Sequence, residues 1–213
     1  MLVTTARSSW SCQRILALPA RRRLIRSVLQ TMRITRRLNP GEGHLYRAVR
    51  LEALRESPEA FLSRYEDAAA RSDQSWADQA DSSATGSDRA TFVTFEDQPV
   101  GLAALYRDGN DPDAGELMQM WISPDVRGGP VAADLLLEVF QWAASNRFAF
   151  VKAEVMRSNA RALRFYEKFG FSLSAEHPTA SSVILTKAVE QAGFGQPDTR
   201  PERKAEAEGG YQS

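Results

Sequence analysis

The stretch from residue 116 to residue 145 constrains the fold more than any other part of the chain, because it joins a strand pattern to a helix pattern through a short glycine loop. ELMQMWI (116–122) is rich in residue types that favour strands. From Val131 onward, apolar residues recur at the spacing of an amphipathic helix. Gly128, Gly129 and Pro130 lie between the two. The pattern therefore predicts a strand, a tight loop and a helix whose first turn has unpaired N–H groups.

The same reading of hydrophobic periodicity predicts the other elements. Strands are predicted at 34–38, 90–96, 99–107, 148–155, 171–174 and 183–188, and helices at 44–55, 60–81 and 160–169. Within 116–122, simple alternation predicts Leu117, Gln119 and Trp121 on one face of the strand. The order of elements predicts a single-domain α/β fold, of the α+β type, with a mixed sheet and helices packed against it.

The two ends of the chain differ from its middle. Residues 1–41 contain nine arginines and no acidic residue, whereas residues 42–213 contain 18 basic and 27 acidic residues. We interpret 1–31 as a basic N-terminal extension that is disordered or lies upstream of a true start at Met32, and the alternatives are an organelle-targeting segment or a nucleic-acid-binding segment. Residues 191–213 have few large apolar side chains and are predicted to be a disordered tail. This leaves 32–190 as the folded domain.

Composition excludes several kinds of site. The one cysteine is Cys12, and the two histidines are His44 and His177, so a disulfide framework, a cysteine- or histidine-rich metal site and a serine-histidine-acid triad are not expected. The low cysteine content favours a reducing compartment, and the predicted location is the cytoplasm. No apolar run approaches the ~20 residues that span a bilayer. Neither a membrane nor a nucleic acid is expected as a partner.

The loop from Arg127 to Ala132 has the composition of an anion-binding loop. Free N–H groups at a helix start attract anions, and glycines let the backbone approach a bound group closely. Arginine at the entrance adds a positive charge suited to phosphate. By itself the loop is equally well explained as a simple turn between a strand and a helix.

Two motifs together make the chain resemble the GCN5-related N-acetyltransferase (GNAT) family. The family's cofactor motif begins with arginine or glutamine and here corresponds to Arg127, Pro130 and Ala132. The second signature is an asparagine followed by a helix that ends in tyrosine and phenylalanine-glycine-phenylalanine, and it is present as NARALRFYEKFGF (159–171). The resemblance covers about 32–188 and implies the acyl-CoA N-acyltransferase fold, with acetyl-coenzyme A as the cofactor.

By this resemblance, backbone groups of the strand before the loop would pair with the pantetheine arm of the cofactor, the loop would hold the diphosphate, and Asn159 would lie beside the pantetheine. The implied cofactor-binding residues are Met120, Trp121, Ile122, Arg127, Gly128, Gly129, Pro130, Val131, Ala132, Asn159 and Tyr166. Pro130 departs from the family pattern, which has glycine there. Since proline has no N–H, the expected loop has one donor fewer.

The resemblance also assigns the catalytic groups. Tyr166 corresponds to the tyrosine that protonates the departing sulfur, and Glu116 is the predicted general base. Glu154 is the substitute for Glu116, and an ordered water could serve instead. Lys168 and Arg164 could approach the phosphates, but the solvent face of a helix explains them equally well.

The predicted function is transfer of an acetyl group from acetyl-coenzyme A to a primary amine of a small molecule or peptide, by direct attack in a ternary complex. Two alternatives stay open: a catalytically weak acyl-coenzyme A sensor, favoured by Pro130, and a protein acetyltransferase that modifies an N-terminus or a lysine. The acidic charge of 42–213 favours cationic acceptors. Dimers are common in the family, so the resemblance allows a homodimer.

Overall fold

The computed structural model describes residues 32–174 and 181–191. The predictions for the N-terminal extension, for Cys12 and His177, and for the tail after Gln191 lie outside the described residues. Within the described part of the chain, no helix is both long and apolar enough to cross a membrane.

The described residues form one sheet and the helices that pack against it. The strands are β1 (Ile34–Arg37), β2 (Arg89–Phe95), β3 (Pro99–Arg107), β4 (Ala114–Ile122), β5 (Phe150–Met156), β6 (Ser172–Leu173) and β7 (Ser182–Ala188). The α-helices are α1 (Gly43–Glu56), α2 (Tyr65–Ala69), α3 (Asp73–Thr85), α4 (Val131–Ser145) and α5 (Ala160–Lys168), and short 3-10 turns lie at Pro58–Ala60 and Pro124–Val126. The predicted α/β class and the predicted order of strands are confirmed.

The predicted helix at 60–81 is wrong in detail, because the structure divides this region. A 3-10 turn, the short α2 and the longer α3 replace one continuous helix. The division has a local cause at Ser72, whose backbone is extended and whose hydroxyl accepts a hydrogen bond from the N–H of Ser75. A serine that caps in this way starts a new helix and ends the preceding one.

The sheet has seven strands in the order β1-β2-β3-β4-β5-β7-β6. β4 and β5 run parallel, and the other neighbouring pairs are antiparallel. β4 and β5 can run parallel because α4 carries the chain back across one face of the sheet. This parallel pair lies in the middle of the sheet. This places the glycine loop at the end of β4, at the point where the chain leaves the sheet.

Each face of the sheet carries its own hydrophobic core. On one face the predicted stripe of α4, formed by Val131, Leu135, Val139 and Ala143, packs with α5 and with the strands. On the other face α1, α2 and α3 enclose a second core. Gly43 permits the close approach of α1 to α3 there, since a Cβ at this position would lie 2.8 Å from the Cα of Ala77.

A bulge in β4 overturns the predicted alternation of that strand. Leu102 pairs with Trp121, but Ala104 pairs with Met118, so two residues of β4 face one residue of β3. Gln119 has a φ of 57°, which non-glycine residues seldom adopt. The extra residue reverses the alternation. Leu117 therefore packs in the core under α4, whereas Trp121 packs in the core under α1.

Candidate active site

The two parallel strands in the middle of the sheet separate along their length. Residues 114–117 of β4 pair with residues 150–153 of β5. Among the described residues, the two strands do not pair beyond Leu117 and Ala153. β4 nevertheless runs on to Ile122. The edge of its last residues that faces β5 is thus available for hydrogen bonds to an added strand-like group.

A cavity of about 540 Å³ lies at the end of β4, where that strand no longer pairs with β5, and α5 lines its other side. Its walls come from the end of β4, the loop before α4, the first turn of α4, α5 and the segment after α1. The lining residues are Ser57, Ala60, Phe61, Met120, Trp121, Ile122, Arg127, Gly128, Gly129, Ala132, Ala133, Asn159, Arg161, Ala162, Phe165, Tyr166, Lys168 and Phe169. The structure therefore brings residues of both sequence motifs to one cavity.

The first turn of α4 presents unpaired donors to this cavity. The N–H of Asp134 donates to the carbonyl of Pro130 at 2.9 Å, so the N–H groups of Val131, Ala132 and Ala133 come before the first bond of the helix. No side chain caps them. An uncapped helix start of this kind is a binding site for an anion.

The backbone conformation of the loop before α4 favours a glycine at one position. Gly128 has a φ of +81°, a conformation that favours glycine. Pro130 is the N-cap of α4, with φ −80° and ψ −9°. Pro130 and Val131 were both predicted to bind a cofactor, but neither lines the cavity. Val131 is 1% exposed and lies in the core.

Arg127 lines the cavity, but its guanidinium is already engaged. Nε donates to the carbonyl of Ile122 at 2.9 Å, and one terminal nitrogen, Nη2, donates to the carboxylate of Glu56 and, at 3.2 Å, to the hydroxyl of Ser57. The sequence predicted that this charge would serve a phosphate. In the structure the guanidinium also ties the end of α1 to the glycine loop.

Glu56 is the centre of that connection. Its carboxylate also accepts a hydrogen bond from the indole of Trp121 at 3.1 Å. Burial alone would raise the pKa of Glu56, but the hydrogen bonds from Arg127, Ser57 and Trp121 outweigh it and lower the pKa to about 2. Glu56 is consequently ionised at neutral pH. No local pattern in the sequence indicates this network, because Trp121 and Arg127 are distant from Glu56 in the chain.

α5 supplies Asn159 and Tyr166. The side chain of Asn159 caps the helix by accepting a hydrogen bond from the N–H of Ala162 at 3.1 Å. Tyr166 is 6% exposed, and its ring packs edge-on against Phe165 and Phe171. Burial raises the pKa of its phenol, so the hydroxyl keeps its proton at neutral pH.

The sequence missed part of the α5 wall. Arg161 and Phe165 line the cavity, and neither is among the cofactor-binding residues that the resemblance implies. Lys168 also lines it. Phe165 and Lys168 follow Arg161 by four and seven residues, a spacing that places these three residues on one face of a helix. That spacing was a usable signal in the sequence.

Glu116 lies on β4 but does not line the cavity. Its neighbours across the sheet are Tyr106 on β3 and Lys152 on β5. Burial and the negative charge of Asp108 raise the pKa of Glu116, while Lys152 acts in the opposite direction. Its substitute, Glu154, accepts a hydrogen bond from the hydroxyl of Ser182 at 2.6 Å.

Comparison with known families agrees with this geometry. Residues 50–171, more than half of the chain, match the model of the acetyltransferase (GNAT) family. This segment includes both sequence motifs and most of the cavity. None of the curated protein sequences matches the chain.

Solved structures with the same fold share little sequence with this chain. An acetyltransferase of the GNAT family from Streptococcus pneumoniae has a TM-score of 0.62 and 16% identity, over 75% of this chain and 100% of the other. PaiA N-acetyltransferase from Thermoplasma acidophilum, solved with coenzyme A, has a TM-score of 0.60 and 18% identity, over 74% of this chain and 99% of the other. Ribosomal-protein-S18-alanine N-acetyltransferase from Escherichia coli has a TM-score of 0.53 and 18% identity, over 78% and 99%.

Proposed function

Because the chain belongs to the acetyltransferase (GNAT) family, we propose that it transfers the acetyl group of acetyl-coenzyme A to a primary amine of a small molecule or a peptide. Acetyl-coenzyme A is the cofactor of this family. The observation that carries the proposal is the cavity at the end of β4, because it joins a free strand edge, an uncapped helix start and Tyr166.

The residues of the cavity fit this cofactor. The free N–H groups at the start of α4 suit a diphosphate, and Arg161 and Lys168 add positive charge to the same cavity. The free edge of β4 suits the amide groups of pantetheine, which can hydrogen bond as an added strand does. Pro130 removes one donor from the loop but none from the first turn of α4.

Bound acetyl-coenzyme A supplies a thioester, and its transfer to an amine forms a C–N bond, breaks the C–S bond and leaves a proton on the sulfur. The protein must therefore hold a proton for the sulfur, accept one from the amine and orient both reactants. We assign orientation to the backbone of β4 at Met120 and Ile122, and to Asn159 at the start of α5.

Tyr166 is the proposed donor of the proton to the sulfur. Its raised pKa keeps the phenol protonated over the neutral range. A phenol has an ordinary pKa well above that of a thiol, which opposes the transfer. The same burial also penalises a thiolate, so it raises the proton affinity of the sulfur and reduces this difference.

Glu116 is the proposed acceptor of the amine proton. Its cross-strand partner Tyr106 reaches the helical layer, where the side chain of Gln79 donates to the Tyr106 hydroxyl at 2.8 Å. Since directly opposed residues share a face, Glu116 lies on the side of α1 and α3. Its pKa is raised, which makes it a stronger base than an ordinary carboxylate.

Direct attack in a ternary complex is favoured over a covalent enzyme intermediate on cysteine. The chain has one cysteine, Cys12, and the segment that carries the cavity residues contains none. The amine would then have to approach the cavity while the cofactor is bound, so both must be held at once.

Calorimetric titration with coenzyme A tests the proposal. Ala132→Asp places a carboxylate among the free N–H groups, where an acidic residue also suits the helix start, so the variant should fold and lose coenzyme A binding at least tenfold. Leu137→Asp adds the same charge at an exposed position of α4 outside the cavity and should bind normally. Equal binding by both variants would remove the cavity from the proposal.

A sensor that binds acyl-coenzyme A without transferring it is the second candidate, and the missing N–H of Pro130 favours it. Release of free thiol from acetyl-coenzyme A separates the two candidates. Binding without thiol release over a broad panel of amines would support the sensor, and amine-dependent release would support the enzyme.

A further inference from the structure

A second cavity, of about 410 Å³, lies on the other face of β4 beneath α1, α2 and α3. Gln119 lines it, whereas the next residue, Met120, lines the cofactor cavity. Phe61 also lines the cofactor cavity, and the guanidinium of Arg50 in the second cavity lies over its ring at 4.4 Å. The two cavities are thus neighbours, and a volume of this size suits a small molecule.

The second cavity holds more positive than negative charge. Arg50, Arg64 and Arg71 line it, and Asp67 is the one acidic residue in its lining. Arg71 donates to the hydroxyl and the carbonyl of Ser75, both neutral acceptors. Arg64 forms its ion pair outside the lining, with Glu66, and both partners are largely exposed.

Arg50 is the decisive residue. It is 6% exposed, and a terminal nitrogen of its guanidinium is buried without a hydrogen-bond partner in the part of the chain that the structure describes. Burial lowers the pKa of Arg50, while Tyr46 and Tyr106 act in the opposite direction and Arg71 contributes a smaller lowering. Stacking on Phe61 uses the face of the guanidinium and leaves the N–H donors in its plane available.

A buried cation without an anionic partner is costly, and a bound anion would offset that cost. A guanidinium also matches the two oxygens of a carboxylate or phosphate in geometry. We infer that the second cavity binds the acceptor, and that the acceptor is an amine carrying a carboxylate or phosphate group that Arg50 and Arg71 hold. This rests on the proposed transfer reaction. It reverses the preference for cationic acceptors that the overall charge of 42–213 suggests, because the local charge of the cavity is positive.

Matched pairs of amines test the inference on the unaltered protein. Thiol release is measured for the common L-amino acids, β-alanine and 4-aminobutyrate, each against its carboxamide. O-phosphoethanolamine against ethanolamine forms the phosphate arm, and putrescine and spermidine are cationic comparators. At least one acid should exceed its amide in kcat/KM by roughly tenfold to hundredfold, the range expected for charge-assisted hydrogen bonds. The arm with the larger ratio identifies the anion.

The variant Arg50→Met should reduce that ratio at least tenfold. Arg55→Met on the same helix removes an exposed arginine paired with Glu52 and should leave the ratio unchanged. Arg50→Lys keeps the charge without the planar donors and should retain part of the preference. If Arg50→Met does not fold, the matched pairs still decide the question.

Amides or polyamines that match or exceed every anionic amine would overturn the inference while leaving acetyl transfer intact. If no amine releases thiol, calorimetry with coenzyme A bound still tests the cavity. Tighter binding of an acid than of its amide supports the anion site, and equal binding rejects it. Failure of the acceptor assignment is therefore distinguishable from failure of the transfer reaction.

Discussion

Replacing Tyr166 with phenylalanine separates catalysis from stability more cleanly than any other change at the cavity. The ring packs at centroid distances of 5.4 Å from Phe165 and 5.2 Å from Phe171, and phenylalanine keeps both contacts. The hydroxyl has no hydrogen-bond partner among the described residues, so its loss removes a polar group that gains nothing from the fold. The free energy of unfolding should stay unchanged or rise by up to about 1 kcal/mol, which corresponds to a melting temperature higher by roughly 2–4 °C at most.

The effect on turnover should be large. General acid catalysis typically contributes about 10²–10⁴-fold, and water replaces part of a missing donor. Turnover of Tyr166→Phe should therefore fall more than tenfold, a barrier increase of at least about 1.4 kcal/mol. Affinity for coenzyme A should change little, because the ring that contacts the cavity is retained.

Three measurements on one preparation check this prediction: thiol release at saturating acetyl-coenzyme A, calorimetric titration with coenzyme A, and thermal unfolding. Tyr65→Phe is the matched control, since Tyr65 lies on α2 and lines neither cavity. A turnover of Tyr166→Phe equal to that of the control would show that the phenol donates no proton in the rate-limiting step.

Three further changes follow from the geometry. Pro130→Ala restores an N–H at a backbone conformation that alanine adopts readily, so coenzyme A should bind up to roughly tenfold more tightly by calorimetry. Glu56→Gln should lose about 1–3 kcal/mol of unfolding free energy at neutral pH. Because the folded pKa of Glu56 is lowered from 4.5 to about 2, this difference should be complete above pH 4.5 and should vanish as the pH falls toward 2 in denaturant titrations. Gly43→Ala should cost about 1–3 kcal/mol, measured in the same way, since its Cβ would meet the backbone of Ala77 at 2.8 Å.

Each of these changes has a control in the chain. Pro124→Ala restores an N–H in the preceding 3-10 turn, whereas Pro130 is the N-cap of α4, so this control should leave coenzyme A affinity unchanged. Glu52→Gln removes an exposed carboxylate and should show little of the pH-dependent loss. An alanine at Gly109 has no neighbour within 4 Å and should be nearly neutral. If a control matched its test variant, the corresponding contact would not be the cause.

Local signals in the sequence predicted the features that depend on neighbouring residues. Periodicity located α4 and the strands, and the cofactor-binding residues that the resemblance implies include half of the residues that line the cavity. The bond between Arg127 and Glu56 joins residues 71 positions apart, and no local pattern indicates it. The charge of Arg127 was read from the loop alone, so its use by a distant helix was missed.

The bulge in β4 shows why the relation between the two cavities could not be predicted. Alternation along a regular strand places successive residues on opposite faces, but it also assumes an unbroken register with β3. The extra residue at Gln119 breaks that register. Gln119 then faces the helical layer, where its side chain accepts a hydrogen bond from the Tyr46 hydroxyl at 2.9 Å, and Met120 lines the cofactor cavity. An acceptor and a cofactor held on opposite faces of β4 would thus meet at the bulge, so deleting one residue there to restore regular pairing should lower the rate of thiol release more than it weakens calorimetric binding of coenzyme A.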